Sequence, residues 1–269
     1  MSPARSPFDP RFSERDSLFW PVLPAARAFS GYTEWPPVSD YGARLAAAPL
    51  FAGAPRVAFR EQPPKPRRRR KGPVGPLDLY DGHIVEEGWV PTRSRSWHDF
   101  LNMLVWATFP EAKLQLHTRQ HRAISARLAS GEGAANGARA GGLPNARTRE
   151  QDALALLDEG GVVIACPAER VATLRSALRE RREDEAARAF TEGAARAVVF
   201  GHALFEGLVL GRADGWGAAR FLAYDGDLSD DAALVRAADA ALSGALAEQG
   251  SLVSPDELSR ADLRLIRSR

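Results

Sequence analysis

The sequence predicts an α+β fold, predominantly helical, with a small antiparallel sheet. Three observations carry that expectation. SWHDFLNMLVWATF, from Ser96, repeats apolar residues at helical spacing. GVVIAC and AARFLAY are short β-like runs. Between DALALL and GVVIAC lies Asp158-Glu159-Gly160-Gly161, which reads as the turn of a hairpin near 153–166. Hydrophobic residues make up 45% and charged residues 26% of 269, a globular balance that can build a core.

Residues 1–60 are rich in proline and aromatics, as in LFWPVLP and YTEWPPV. Proline forbids long helices there, yet the aromatics are too apolar for a free tail. An arm packed on the body is expected, with a short helix over 41–48 and a short strand over 57–60. Residues 61–76 form a linker carrying KPRRRRK. A single α+β domain is expected over 77–250 and a polar tail over 251–269.

Inside that domain, residues 77–80 or 83–85 read as strand or irregular structure. The helix from Ser96 runs to about Thr108, with Ser96 as its cap. Pro110 opens a second helix reaching Ser130. A glycine-rich loop follows over 131–147. Helical spacing returns over 168–190. ARAVVFGHALFEGLVLG, 195–211, is apolar nearly all round and reads as one buried helix. Residues 218–224 read as a strand and 229–249 as a helix capped by Ser229 or Asp227.

Charge narrows the partners. The net charge is +2, but residues 56–72 alone carry +7, leaving −5 for the rest. The basic character belongs to one segment, so a weak polyanion contact through Lys65–Lys71 is the only nucleic-acid feature. No apolar run approaches the ~18 residues of a membrane span, and the first residues resemble no leader, so a cytoplasmic protein without membrane contact is expected. The single cysteine, Cys166, forms no internal disulfide and ends an apolar run, as a buried thiol does.

Polar side chains within apolar helices are the candidates for chemistry. His98 and Asn102 share a helix face, with Asp99 beside it. His202 and Glu206 are four apart in FGHALFE, where an unpaired glutamate is costly to bury. His98, His202 and Glu206 form a candidate metal set, and a divalent zinc, iron or manganese suits such ligands. His98, Asp99, Asn102 and Glu206 are the candidate catalytic groups; Arg93, Lys113 and Asp152 are candidates for substrate binding. His117 and His121 have metal-ligand spacing, but Thr118 stands where a HExxH site needs glutamate. Asp158 and Glu159 are read as turn residues. Phosphate-loop, GxGxxG, GxSxG and paired CxxC motifs are absent.

LYDGHIVEEGWVPTRSRSWHDFLNMLVWATFPEAK, QDALALLDEGG and FGHALFE, in that order, resemble the signatures of a bacterial family known as domain of unknown function 3025. The resemblance covers about residues 77–210. It departs at Asp81, where glutamate is expected, and after Ser254. It brings no activity, but its signatures contain the residues singled out above. Three readings follow. A non-catalytic module with a buried His/Asp/Glu network is favoured by default. The alternatives are a metal-assisted hydrolase and nucleic-acid association through KPRRRRK.

Overall fold

The computed structural model describes residues 7–53, 55–62, 79–130, 147–212 and 214–267. Most of the basic linker and the glycine-rich loop lie outside these residues, as does the expected polyanion segment. The fold is mostly α+β, with two small sheets. β1 (Ala58–Glu61) pairs in parallel with β2 (Trp89–Thr92). The second sheet, made of β3 (Gly161–Cys166), β4 (Arg196–Val199), β5 (Trp216–Ala223) and β6 (Ser259–Asp262), has the order β4-β3-β5-β6.

That second sheet is mixed, which corrects the antiparallel expectation. β3 runs antiparallel to β4 but parallel to β5. All six residues of β3 are buried, as a central strand covered on both faces requires. The hairpin near 153–166 does not form. After the short helices α1 (Leu23–Arg27), α2 (Tyr41–Ala46) and α3 (Tyr80–Val85), and the longer α4 (Trp97–Thr108) and α5 (Pro110–Ala129), residues Arg149–Gly160 form helix α6. The DALALL run suits period two in sequence, but its Ala153, Leu154 and Leu157 lie on one buried helical face. A capping box fixes the start of α6: Thr148 accepts from the Gln151 N–H, and the Gln151 side chain accepts from the Thr148 N–H.

Two other expectations shift. Residues 168–190 divide into α7 (Ala168–Arg179) and α8 (Glu183–Thr191), separated at Arg181, whose φ is 56°. Residues 195–211 are strand β4 followed by helix α9 (His202–Val209), not one helix. Residues 80–85 are helical, and the strand falls at Trp89–Thr92. The last long helix, α10 (Asp231–Ala247), is capped by Asp230 and not by Ser229 or Asp227.

α4 is the hub. Its Trp97 and Phe100 meet Phe8, Phe12 and Trp35 from the N-terminal segment in stacked, tilted and edge-on ring contacts. Such pairs add about 0.5–1.5 kcal/mol each beyond area burial. α5 begins without a cap of its own. The carboxylate of Asp239 on α10 accepts from the N–H groups of Ala112 (2.7 Å) and Glu111 (3.3 Å) in its place. No helix among the described residues is long and apolar enough to cross a membrane.

Candidate metal centre

Gly201 brings two distant parts of the chain together. It links β4 to α9, and a Cβ there would lie 2.5 Å from Glu159 O, Gly160 Cα and Gly161 N. Only glycine lets the two backbones approach so closely. The N–H groups of Phe200 and Gly201 both donate to Gly161 O, at 2.9 and 2.8 Å. His202, the first residue of α9, is thereby fixed beside Asp158 and Glu159 in the last turn of α6. His98, in the first turn of α4, reaches the same point from the opposite side.

The two imidazoles meet edge to face, with Nε2 atoms 3.0 Å apart. His202 Nε2 lies 3.4 Å from Glu159 Oε2. One ligand atom from each of His98, Glu159 and His202 falls within 4.8 Å of the others. Nitrogens bound to zinc at 2.0–2.1 Å across a tetrahedral angle sit about 3.3 Å apart, so the spacing matches a metal's first shell.

The far nitrogens of both rings face carboxylates. His98 Nδ1 lies 3.1 Å from Glu206 Oε2. His202 Nδ1 lies 3.9 Å from Asp158 Oδ1 and has no direct hydrogen-bond partner. Glu206 behind His98 directs a proton to its Nδ1 and leaves that ring's Nε2 lone pair for a metal.

Electrostatics divide the two rings. The hydrogen bond to Glu206 raises His98 above the usual imidazole range, against the effect of burial. Burial pushes His202 down to about 3, with Asp158 pulling the other way and Lys113 and His98 adding to the fall. His202 is therefore neutral near pH 7, as ligation requires. Glu206 is lowered by its bond to His98. Glu159 is raised by burial and by neighbouring Asp158. Burial alone would raise Asp158, but the charge and hydrogen bond of Lys113, with His202 and His117, hold it well below the carboxylate range.

The centre opens onto a cavity of about 470 Å³ lined by Tyr80, Asp81, Arg93, Asn102, His117 and Asp158, among others. A family model described as protein of unknown function (DUF3025) matches residues 69–262. The chain belongs to that family. No curated protein and no solved structure matches it. In this DUF3025 protein the match takes in all the groups of the centre.

The sequence candidates divide accordingly. His98 and His202 come together, Nε2 to Nε2. Glu206 approaches Nδ1 of His98, while Glu159 is the third residue with a potential ligand atom within 4.8 Å of those of His98 and His202. Asp99 is held by Arg93, whose backbone N–H and guanidinium both donate to it, at 2.7–2.9 Å. Arg93 and Asp99 thus form a clamp at the cavity wall. Asn102 donates to the Tyr80 hydroxyl at 3.1 Å. Lys113 is fully buried, 2.5 Å from Asp158, and cannot reach a substrate. Asp152 is exposed on the first turn of α6 and does not line the cavity.

His117 and His121 do not form a metal pair. His117 Nδ1 lies 2.8 Å from Asp81 Oδ1, and His121 Nε2 lies 3.2 Å from Glu86 Oε1. Burial raises the Cys166 thiol, as the expected inert core residue requires. Glu159 and Asp158 are the groups that sequence reasoning misses, because DEGG reads as a turn. The signal was present: Thr148 and Gln151 start a helix that carries both acids to its last turn.

Proposed function

We propose that this protein is a metal-assisted hydrolase whose divalent ion is held by His98 Nε2, His202 Nε2 and Glu159. The observation that carries this reading is the meeting of two imidazole Nε2 atoms and one carboxylate at the mouth of a solvent-connected cavity. Two imidazoles and a carboxylate suit zinc, iron or manganese and leave coordination positions open. A bound ion lowers the pKa of water and polarises a substrate oxygen. Glu206 orients His98, Asp158 faces the inner nitrogen of His202, and the Arg93–Asp99 clamp shapes the wall where a substrate enters.

The test is reconstitution. Protein stripped with a chelator is reloaded with zinc, manganese or iron and assayed against p-nitrophenyl esters and phosphates. Hydrolysis that returns with the metal in wild type but not in a folded His98→Ala, His202→Ala variant supports the reading. Wild-type protein that binds metal but hydrolyses none of these substrates counts against it.

A second reading has its own observation. Nε2 atoms 3.0 Å apart also suit a plain N–H···N hydrogen bond. With the Lys113–Asp158 and His117–Asp81 pairs, that bond would complete a network fixing the packing of α3, α4, α5, α6 and α9 without a metal. Full stability in a chelator, with no metal retained on purification, favours this reading.

A further inference from the structure

The cavity beside the metal centre follows the groove between α5 and α6. Lys113 of α5 meets Asp158 in the last turn of α6, and Arg127 Nη1 donates to Gln151 Oε1 (2.8 Å) in its first turn. The two helices therefore run antiparallel along the cavity. Gln120 and Ile124 of α5 and Ala155 of α6 line it between those two contacts. His98, His202 and Glu159 close one end, and Arg147 lines the other. Charge accounting singles out Arg147. Four carboxylates line the cavity: Asp81, Asp99, Asp158 and Glu159. Asp81 faces His117, Asp99 is clamped by Arg93, and Asp158 is paired with Lys113. Glu159 belongs to the metal centre, and Glu206 stands behind His98, outside the lining. Arg147 is exposed, with no hydrogen bond or ion pair among the described residues. The backbone beside it is anchored, because Thr148 caps α6 and its N–H donates to Gln151 Oε1 at 3.0 Å. A cation held at the end of a cavity whose acids are all engaged is matched by an anionic ligand.

We infer that the substrate of this centre carries a carboxylate tail, bound by Arg147, on a short apolar chain that reaches from the metal end. This rests on the metal-assisted reading above. A guanidinium fork matches the two oxygens of a carboxylate. One cation balances the single charge of that group, whereas a phosphate monoester carries nearly two. Ile124 and Ala155 give the chain its apolar contact, and the side-chain amide of Gln120, which has no partner among the described residues, faces the same space. At 1.5 Å per residue α6 sets Thr148 about 16 Å from Glu159, and the arginine side chain spans part of that, leaving roughly 10 Å between guanidinium and ion. A chain of a few methylenes bridges such a gap, as in glutarate or adipate.

The experiment titrates zinc-loaded full-length protein with succinate, glutarate and adipate by calorimetry, each beside the monocarboxylate of equal length. One end of a dicarboxylate takes the open position on zinc and the other reaches Arg147. The best dicarboxylate should bind about 10–100-fold tighter than its monocarboxylate. Arg147→Gln should remove that advantage. Arg147→Glu should transfer it to the ω-amino acid of the same length, which a merely structural role for Arg147 would not do. Zinc stoichiometry, measured on the same samples, should stay at the wild-type level in both variants. Zinc-loaded wild type that binds no dicarboxylate tighter than its monocarboxylate overturns the inference and leaves the metal reading standing. So does an advantage that persists in Arg147→Gln. Wild type that takes up no zinc overturns both, and the metal analysis identifies that case.

Discussion

Replacing Lys113 by methionine isolates the most buried charge among the described residues. Lys113 is 0% exposed and its ammonium lies 2.5 Å from Asp158 Oδ1, with Trp106 at 5.5 Å. Methionine keeps the volume but leaves the Asp158 carboxylate without its cation. Breaking a buried pair from one side costs about 3–5 kcal/mol, because the stranded charge is uncompensated. Against a total stability of about 5–15 kcal/mol that is a large fraction, a fall in Tm of roughly 10 °C. The pH dependence gives a sharper check. In the wild type the folded Asp158 carboxyl lies below its unfolded value, so its contribution is present above about pH 4 and is lost only as pH falls through the folded value. Without the ammonium, burial prevails and the folded value rises above the unfolded one. The contribution then reverses: it is greatest at low pH and is lost as pH rises through the new value. Urea unfolding at pH 5, 6 and 7 should therefore show a deficit in Lys113→Met that shrinks as pH falls. Adding Asp158→Asn should recover much of the loss. A deficit under about 1 kcal/mol, or one that ignores pH, would refute the reasoning.

Other consequences follow from the same contacts. Gly201→Ala should destabilise by about 1–3 kcal/mol, read by denaturant unfolding, because its methyl meets the backbone of residues 159–161. Asp239 is raised from 3.8 to about 6, chiefly by burial, against the two helix N–H groups it accepts from. Its proton is bound more tightly in the folded state, so its contribution is full below about pH 4 and is lost as pH rises through 6. At about 1.4 kcal/mol per pKa unit the loss is about 3 kcal/mol, and Asp239→Asn should flatten the stability–pH curve between 4 and 6. Glu206→Gln should weaken zinc binding by about 10–100-fold without abolishing it, since Glu206 only orients His98; a competition titration with a zinc chelator reads this.

What the sequence made legible was set by local signals. Ser96, Pro110 and the spacing of Phe100, Leu101 and Leu104 placed α4 and α5 within a residue of where they lie. Those helices carried His98 to the site, and FGHALFE carried His202. DALALLDEGG misled because a five-residue apolar run suits a strand or a buried helix equally well. The Thr148/Gln151 capping box was the deciding clue. With that helix read as a strand, Asp158 and Glu159 fall in a turn, and Glu206 is the acid that helical spacing and the cost of burying it unpaired place beside His202. The approach of Gly201 to residues 159–161 spans 40 positions of sequence and has no local signature. The same holds for the Asp81–His117 pair, whose members were each visible but whose pairing depends on how α3 packs on α5.

The most direct test of the account is zinc binding to chelator-stripped wild type beside Glu159→Gln and Glu206→Gln, followed by native mass spectrometry and competition titration. The account predicts one ion per wild-type chain, near-complete loss in Glu159→Gln and weakened but measurable binding in Glu206→Gln. A wild type that takes up no ion, or a Glu159→Gln variant that binds as tightly as wild type, would contradict it.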